Sequence, residues 1–244
     1  MTIKRKIVWT VLGGTLLTGC GMMGGGIPND LDDNWVSYMQ EAESNLDSYS
    51  TDINLSAETD AMGQSTVNRA RLDARIIGDF DSGHVIITNE QDGVEVSNEI
   101  YFDGSTYYIH DGSGWQEVDG QASDTEETSY RTVLEAIINS EEYITAEVEE
   151  DNLILSYTGY DQDVWDAFEV PFSLTIDGFE EEDIELILEV IVDAETQLIE
   201  QLDLLVEAEN ELASVILTVD TQYADFNEID QLEVEDDILE ETTN

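Results

Sequence analysis

Few kinds of residue in this chain could do chemistry. There is one cysteine, Cys20, and two histidines, His84 and His110, beside 7 basic and 58 acidic residues in 244. The histidines lack the spacing of a metal pair, and no second thiol exists to join them or to close an intrachain disulfide. Asp79-Phe80-Asp81-Ser82-Gly83 brings carboxylates together but lacks the further ligands and distal glutamate of a calcium loop, so a hairpin turn is expected there. With acids this abundant, a pair at glycosidase spacing carries no information. There is no Gly-x-Ser-x-Gly, phosphate loop or nucleotide fingerprint. The chain therefore reads as a non-enzyme, with no catalytic residue, metal or cofactor expected.

The residue with a legible chemical role is Cys20. Lys4, Arg5 and Lys6 are followed by an apolar run from Ile7 to Leu17. That run is shorter than the roughly 20 apolar residues a permanent spanning helix needs, and it has the layout of a cleaved export signal. Leu17-Thr18-Gly19-Cys20 resembles a lipobox, which implies lipidation of Cys20 as the first mature residue. Residues 1–19 are then the signal peptide and 20–29 a glycine-rich flexible tether. The expected location is the outer face of the cytoplasmic membrane, with the lipid as the membrane anchor.

Removing residues 1–19 leaves Arg69, Arg71, Arg75 and Arg131 against 58 acids, a net charge of −54. Self-repulsion on this scale opposes folding at low ionic strength, and molar salt, with a Debye length of about 3 Å, screens most of it. Adaptation to salt, an alkaline exterior and a calcium-binding surface each fit this composition, the first best. Nucleic acid is excluded as a partner, because nothing here could neutralise its phosphates.

Three of the four arginines, Arg69, Arg71 and Arg75, share the odd positions of one expected strand. They fit an ion-pair lattice with neighbouring acids. They also fit a cationic patch for an anionic group, which arginine grips in bidentate fashion.

Two helices and a series of strands must position these residues. Leu31, Trp35, Tyr38, Met39, Ala42, Leu46 and Tyr49 give a helix over 31–48 capped by Asp30. Tyr130, Val133, Leu134, Ile137 and Ile138 give a second, capped by Thr128 or Ser129. A short third helix over 161–168 should stop at Pro171. Between and after them the apolar period is two, over 53–55, 65–80, 84–88, 94–102, 106–109, 143–148, 153–157, 184–192, 198–206 and 212–223. The turns are too short for parallel connections. The tail from Gln231 reads as extended along an edge or frayed. The fold expected for residues 30–244 is a single α+β domain, a strongly bent antiparallel sheet (a half-barrel) covered by two or three helices.

Three segments carry a family resemblance. Ile100-Tyr101-Phe102-Asp103-Gly104-Ser105-Thr106-Tyr107-Tyr108-Ile109 with Gly114-Trp115, Val190-Ile191-Val192-Asp193-Ala194-Glu195-Thr196, and Tyr223-Ala224-Asp225-Phe226-Asn227-Glu228 resemble motifs of exported lipoproteins of the LolA/LppX/LprG-like superfamily. The chain departs from that pattern after Glu228, where Leu232-Glu233-Val234 lacks the usual proline. The resemblance implies an unclosed barrel over helices that carries a lipid or other apolar ligand between sheet and helices. Leu186, Leu188, Leu198 and Leu202 would then line the cavity. The alternative is a surface interaction or scaffold protein with a filled core, since strand alternation is the same for both.

Overall fold

The computed structural model describes residues 26–78, 81–91, 93–104, 106–119 and 128–242. Helix α1 (Leu31–Glu43) leads into strands β1 (Ser48–Ala61), β2 (Gln64–Ile77), β3 (Ser82–Gln91), β4 (Val94–Asp103), β5 (Thr106–His110) and β6 (Trp115–Asp119). Helix α2 (Tyr130–Asn139), β7 (Thr145–Glu149), β8 (Asn152–Gly159) and helix α3 (Gln162–Phe172) follow. The chain closes with β9 (Ile184–Asp193), β10 (Ile199–Glu209), β11 (Ala213–Ala224) and helix α4 (Asp236–Thr242).

All eleven strands form one antiparallel sheet in the order β6-β5-β4-β3-β2-β1-β11-β10-β9-β8-β7. It is a meander except at one point, where β1 pairs with β11 and joins the two ends of the chain at the centre of the sheet. Among the described residues the edge strands β6 and β7 do not pair, so the α+β fold is a single antiparallel sheet not closed into a barrel; the alternation predicts the bent sheet, and the family resemblance implies its unclosed form. Helix α1 lies against edge strand β7 and α4 against edge strand β6. Both unpaired edges, which would otherwise template association, are thus attended by a helix.

Residues at one parity face the helices. Leu153, Leu155, Leu186, Leu188, Val190, Val192, Leu202, Leu204 and Val206 are all buried, and they form one cluster with Leu31 and Met39 of α1, Val133 and Ile137 of α2, and Val164 and Phe168 of α3. Two tyrosines fasten α2 in place: the Tyr130 backbone N–H donates to Tyr49 Oη at 3.2 Å, and Ile199 N–H donates to Tyr130 Oη at 2.9 Å.

Several elements depart from their sequence signals. Helix α1 ends at Glu43, and Tyr49, though in helical phase, lies buried in β1. Asp30 does not cap it through the backbone, because its carboxylate is taken by Asn34 Nδ2 (3.1 Å) and Tyr38 Oη (3.0 Å). Ser129 caps α2 as expected, accepting from Thr132 N–H. Helix α3 continues past Pro171 to Phe172, since a proline this near the end deprives one carbonyl of its partner and the next residue is already terminal. The tail is not frayed: Ile238 of α4 is buried, and Glu241 accepts from Trp115 N–H at 3.2 Å.

Candidate functional site: an open groove on the concave face

The helix-facing surface of the sheet is not covered along its whole length. At the end formed by the β1–β2, β3–β4 and β10–β11 hairpins, the floor runs Leu217 (β11), Leu55 and Ala57 (β1), and Ala70 (β2). Asn68, Asn89 and Gln91 continue it toward Val94 and Val96 of β4. One wall is the end of α3, where Ser173 adopts left-handed backbone (φ 50°) and turns Leu174 back so that its N–H meets Glu169 O at 2.9 Å. Together these surfaces enclose an open groove of about 820 Å³, within the roughly 300–1,000 Å³ of small-molecule sites.

The lining is nearly free of charge. Arg69 and Glu90, at its flank, neutralise each other at 3.2 Å. Its other side chains are apolar, hydroxyl or amide. Val94 and Val96 are 65% and 54% exposed although they stand at core-facing parity, and Phe172 and Leu174 opposite them are buried. The groove ends toward the opposite, basal end of the sheet, where side chains fill the space. There the Phe102 ring lies so close over Gly83 that any side chain at 83 would meet it at 2.3 Å.

The four leucines expected to line a cavity sit elsewhere. Leu186, Leu188 and Leu202 are 0–1% exposed and Leu198 6%, all in the packed core, and none touches the groove. The space between helices and sheet is filled at their positions. The signal for the groove is present in the sequence at different residues. Small Ala57 and Ala70, and amides Asn68, Asn89 and Gln91, occupy inward positions where a sealed core would carry branched apolar chains.

The arginines project from the outer face. Arg69 pairs with Glu90, and Arg71 with Asp52 and, at 3.9 Å, Asp73. Among the described residues Arg75 makes no ion pair; its strand neighbours are Ser50 and His84. The lattice reading thus holds for two of the three. Also on the outer face, Glu189, Asp203 and Asp220 lie directly opposite one another on β9, β10 and β11. Burial first, and then Asp220 and Glu189, push the Asp203 carboxyl up from its ordinary value.

Among the described residues no group of acids and histidines could hold a metal ion, and no helix is long and apolar enough to cross a membrane. His84 instead bonds Glu99 at 2.8 Å and stacks on Tyr101. Cys20 and the signal lie outside the described residues. In the core, Thr51, Thr221 and Tyr223 bury hydroxyls that have no partner among the described residues.

A family model matches residues 33–243. The chain belongs to this family, DUF6612, a family of unknown function. None of the curated proteins matches the chain. Among solved structures it is similar to LprF from Mycobacterium bovis, at 11% identity and a TM-score of 0.48 over 86% of this chain and 99% of that one. It is also similar to lipoprotein LppX from Mycobacterium tuberculosis, at 9% identity and a TM-score of 0.37 over 84% of this chain and 100% of that one.

Proposed function

We propose that this DUF6612 protein is a non-catalytic envelope lipoprotein, anchored through lipidated Cys20, that holds the apolar part of a lipid or similar molecule in the open groove. The observation that carries this reading is the pair Val94 and Val96, 65% and 54% exposed on the wall of a groove of about 820 Å³. Fully burying a valine is worth about 1.5 kcal/mol or more, so a hydrocarbon chain covering both gains what folding leaves unused. The groove's near-neutral lining, in a chain so acidic, suits a ligand uncharged where it touches protein. The location follows from the same reading: the anchor places the domain on the outer face of the cytoplasmic membrane. An interaction protein with a filled core is the second reading, favoured by the solid packing beneath the helices.

A fluorescent phospholipid taken up by the purified protein tests the choice. Wild type is expected to bind it, and Ala70→Trp, which fills the floor, to weaken binding at least tenfold. No uptake, or uptake indifferent to Ala70→Trp, would leave the filled-core reading in place.

A further inference from the structure

The most exposed large apolar side chains of the described residues are Met62 at 94%, Leu212 at 76% and Val94 at 65%. Met62 and Leu212 stand at hairpin tips and Val94 beside one, all at one end of the sheet. Ala61 pairs with Ala213, which puts the tips carrying Met62 and Leu212 side by side. Val94 begins β4 just beyond the third tip, set back by a few residues because Gln91 faces Asn68 of β2. This is the end at which the groove lies, and the β10–β11 tip is tied to the segment that follows the groove wall, with Asn210 Nδ2 donating to Gly178 O at 3.1 Å.

Met62 is in the wrong place for folding. It and Gly63 form a two-residue hairpin loop closed by the Ala61–Gln64 pair, with φ of 53° and 80°. Such a loop favours Asn or Asp before the glycine, because left-handed backbone penalises other side chains. A methionine there is strained and almost wholly in water. Violations of local rules that bring no packing gain collect at functional sites.

We infer that this end of the molecule is a membrane-contacting mouth, in which Met62, Leu212 and Val94 enter the interface of a zwitterionic phospholipid bilayer and open the groove onto it. The inference rests on the reading that the groove holds lipid and adds the route of loading. A bilayer suits single apolar side chains on separate tips better than a protein socket does, since a stable protein interface needs a contiguous surface of at least 1,000 Å² or so. Asp60, Glu209, Glu211 and Glu95 flank the tips and repel an anionic surface, which selects an uncharged one. The ten residues 20–29 span at most about 36 Å, so the anchored domain stays within reach of its own membrane.

The test uses the full lipidated chain in phosphatidylcholine vesicles, with an environment-sensitive dye at Met62→Cys or, as a control at the basal end, Asp151→Cys. The dye at 62 is expected to shift to the blue and to escape an aqueous quencher, while the dye at 151 does neither. Equal exposure at both positions would overturn the inference. So would a shift that appears without vesicles at high protein concentration, which would mean the tips meet a second copy. Met62→Asn with Leu212→Asn should slow phospholipid transfer from vesicles at least tenfold and leave binding of a soluble short-chain lipid unchanged. It should not lower the melting temperature, because asparagine suits the turn. If neither lipid binds while the dye at 62 is still shielded, the groove reading fails and the membrane contact stands.

Discussion

The two halves of the concave face carry the same alternation and end in different states. Over β8–β10 and the basal half of β11 most inward residues meet α1, α2 and α3 and pack to near-zero exposure. Over the tip-proximal halves of β1–β4 they meet solvent. The difference is one of side-chain size and of where the helices run out. Branched residues such as Leu186, Leu188 and Val190 fill the first half, whereas Ala57, Ala70, Asn68 and Asn89 leave the second unfilled, and α3 ends at its border. An inward-facing position is therefore packed or left open according to what stands above it.

The largest effect that could break this comparison lies in the packed half. Leu188→Ala should lower stability by about 2–5 kcal/mol in denaturant unfolding, the range for emptying a sealed core site. A loss under about 1 kcal/mol would mean that the space over Leu188 is already hollow. In the open half, Val96→Asp should leave the melting temperature within about 2 °C, since surface changes mostly stay within about 0.5 kcal/mol. It should nevertheless weaken lipid uptake at least tenfold. Retained uptake would move the ligand out of the groove.

Smaller effects sharpen the outline. Tyr223→Phe removes a buried hydroxyl that has no partner among the described residues, so stability should stay level or rise by up to about 1 kcal/mol. A marked loss would show that something else bonds it. Asp203→Asn should stabilise by about 0.5 kcal/mol, more in low salt than in high, because it relieves a row of three facing carboxylates. The sign with pH follows from the raised folded-state value of Asp203. The folded state holds that proton more tightly than the unfolded one, so this group's contribution to stability grows as pH falls through its folded value and declines as pH rises. Wild type should show that slope and Asp203→Asn should show less of it.

Much of the fold was legible because its signals are local. The Asp103-Gly104 and Asp111-Gly112 turns, the Ser129 cap and the alternation in β9–β11 each act within a few residues. The failures were contests decided at a distance. Tyr49 is in phase with α1 and is claimed by Tyr130 and Tyr223 across the core. The acidic tail gave no reason to fold until Ile238 found cover and Glu241 met Trp115. The groove left a signal in its small and amide inward residues, but its position depended on distant elements, since an alternating strand does not state whether a helix lies over it. The pairing of Arg71 with Asp52 was readable in kind, and the exposure of Met62 could be read only once two hairpins had been placed side by side.

The central claim, that apolar ligand lies in the open groove and not under the helices, can be tested with a phospholipid bearing a photoactivatable acyl chain. After illumination and proteolysis, adducts are expected on peptides carrying Leu55, Val94–Val96 and Leu217. Adducts confined to the peptides of Leu186, Leu188 and Leu202 would contradict the account.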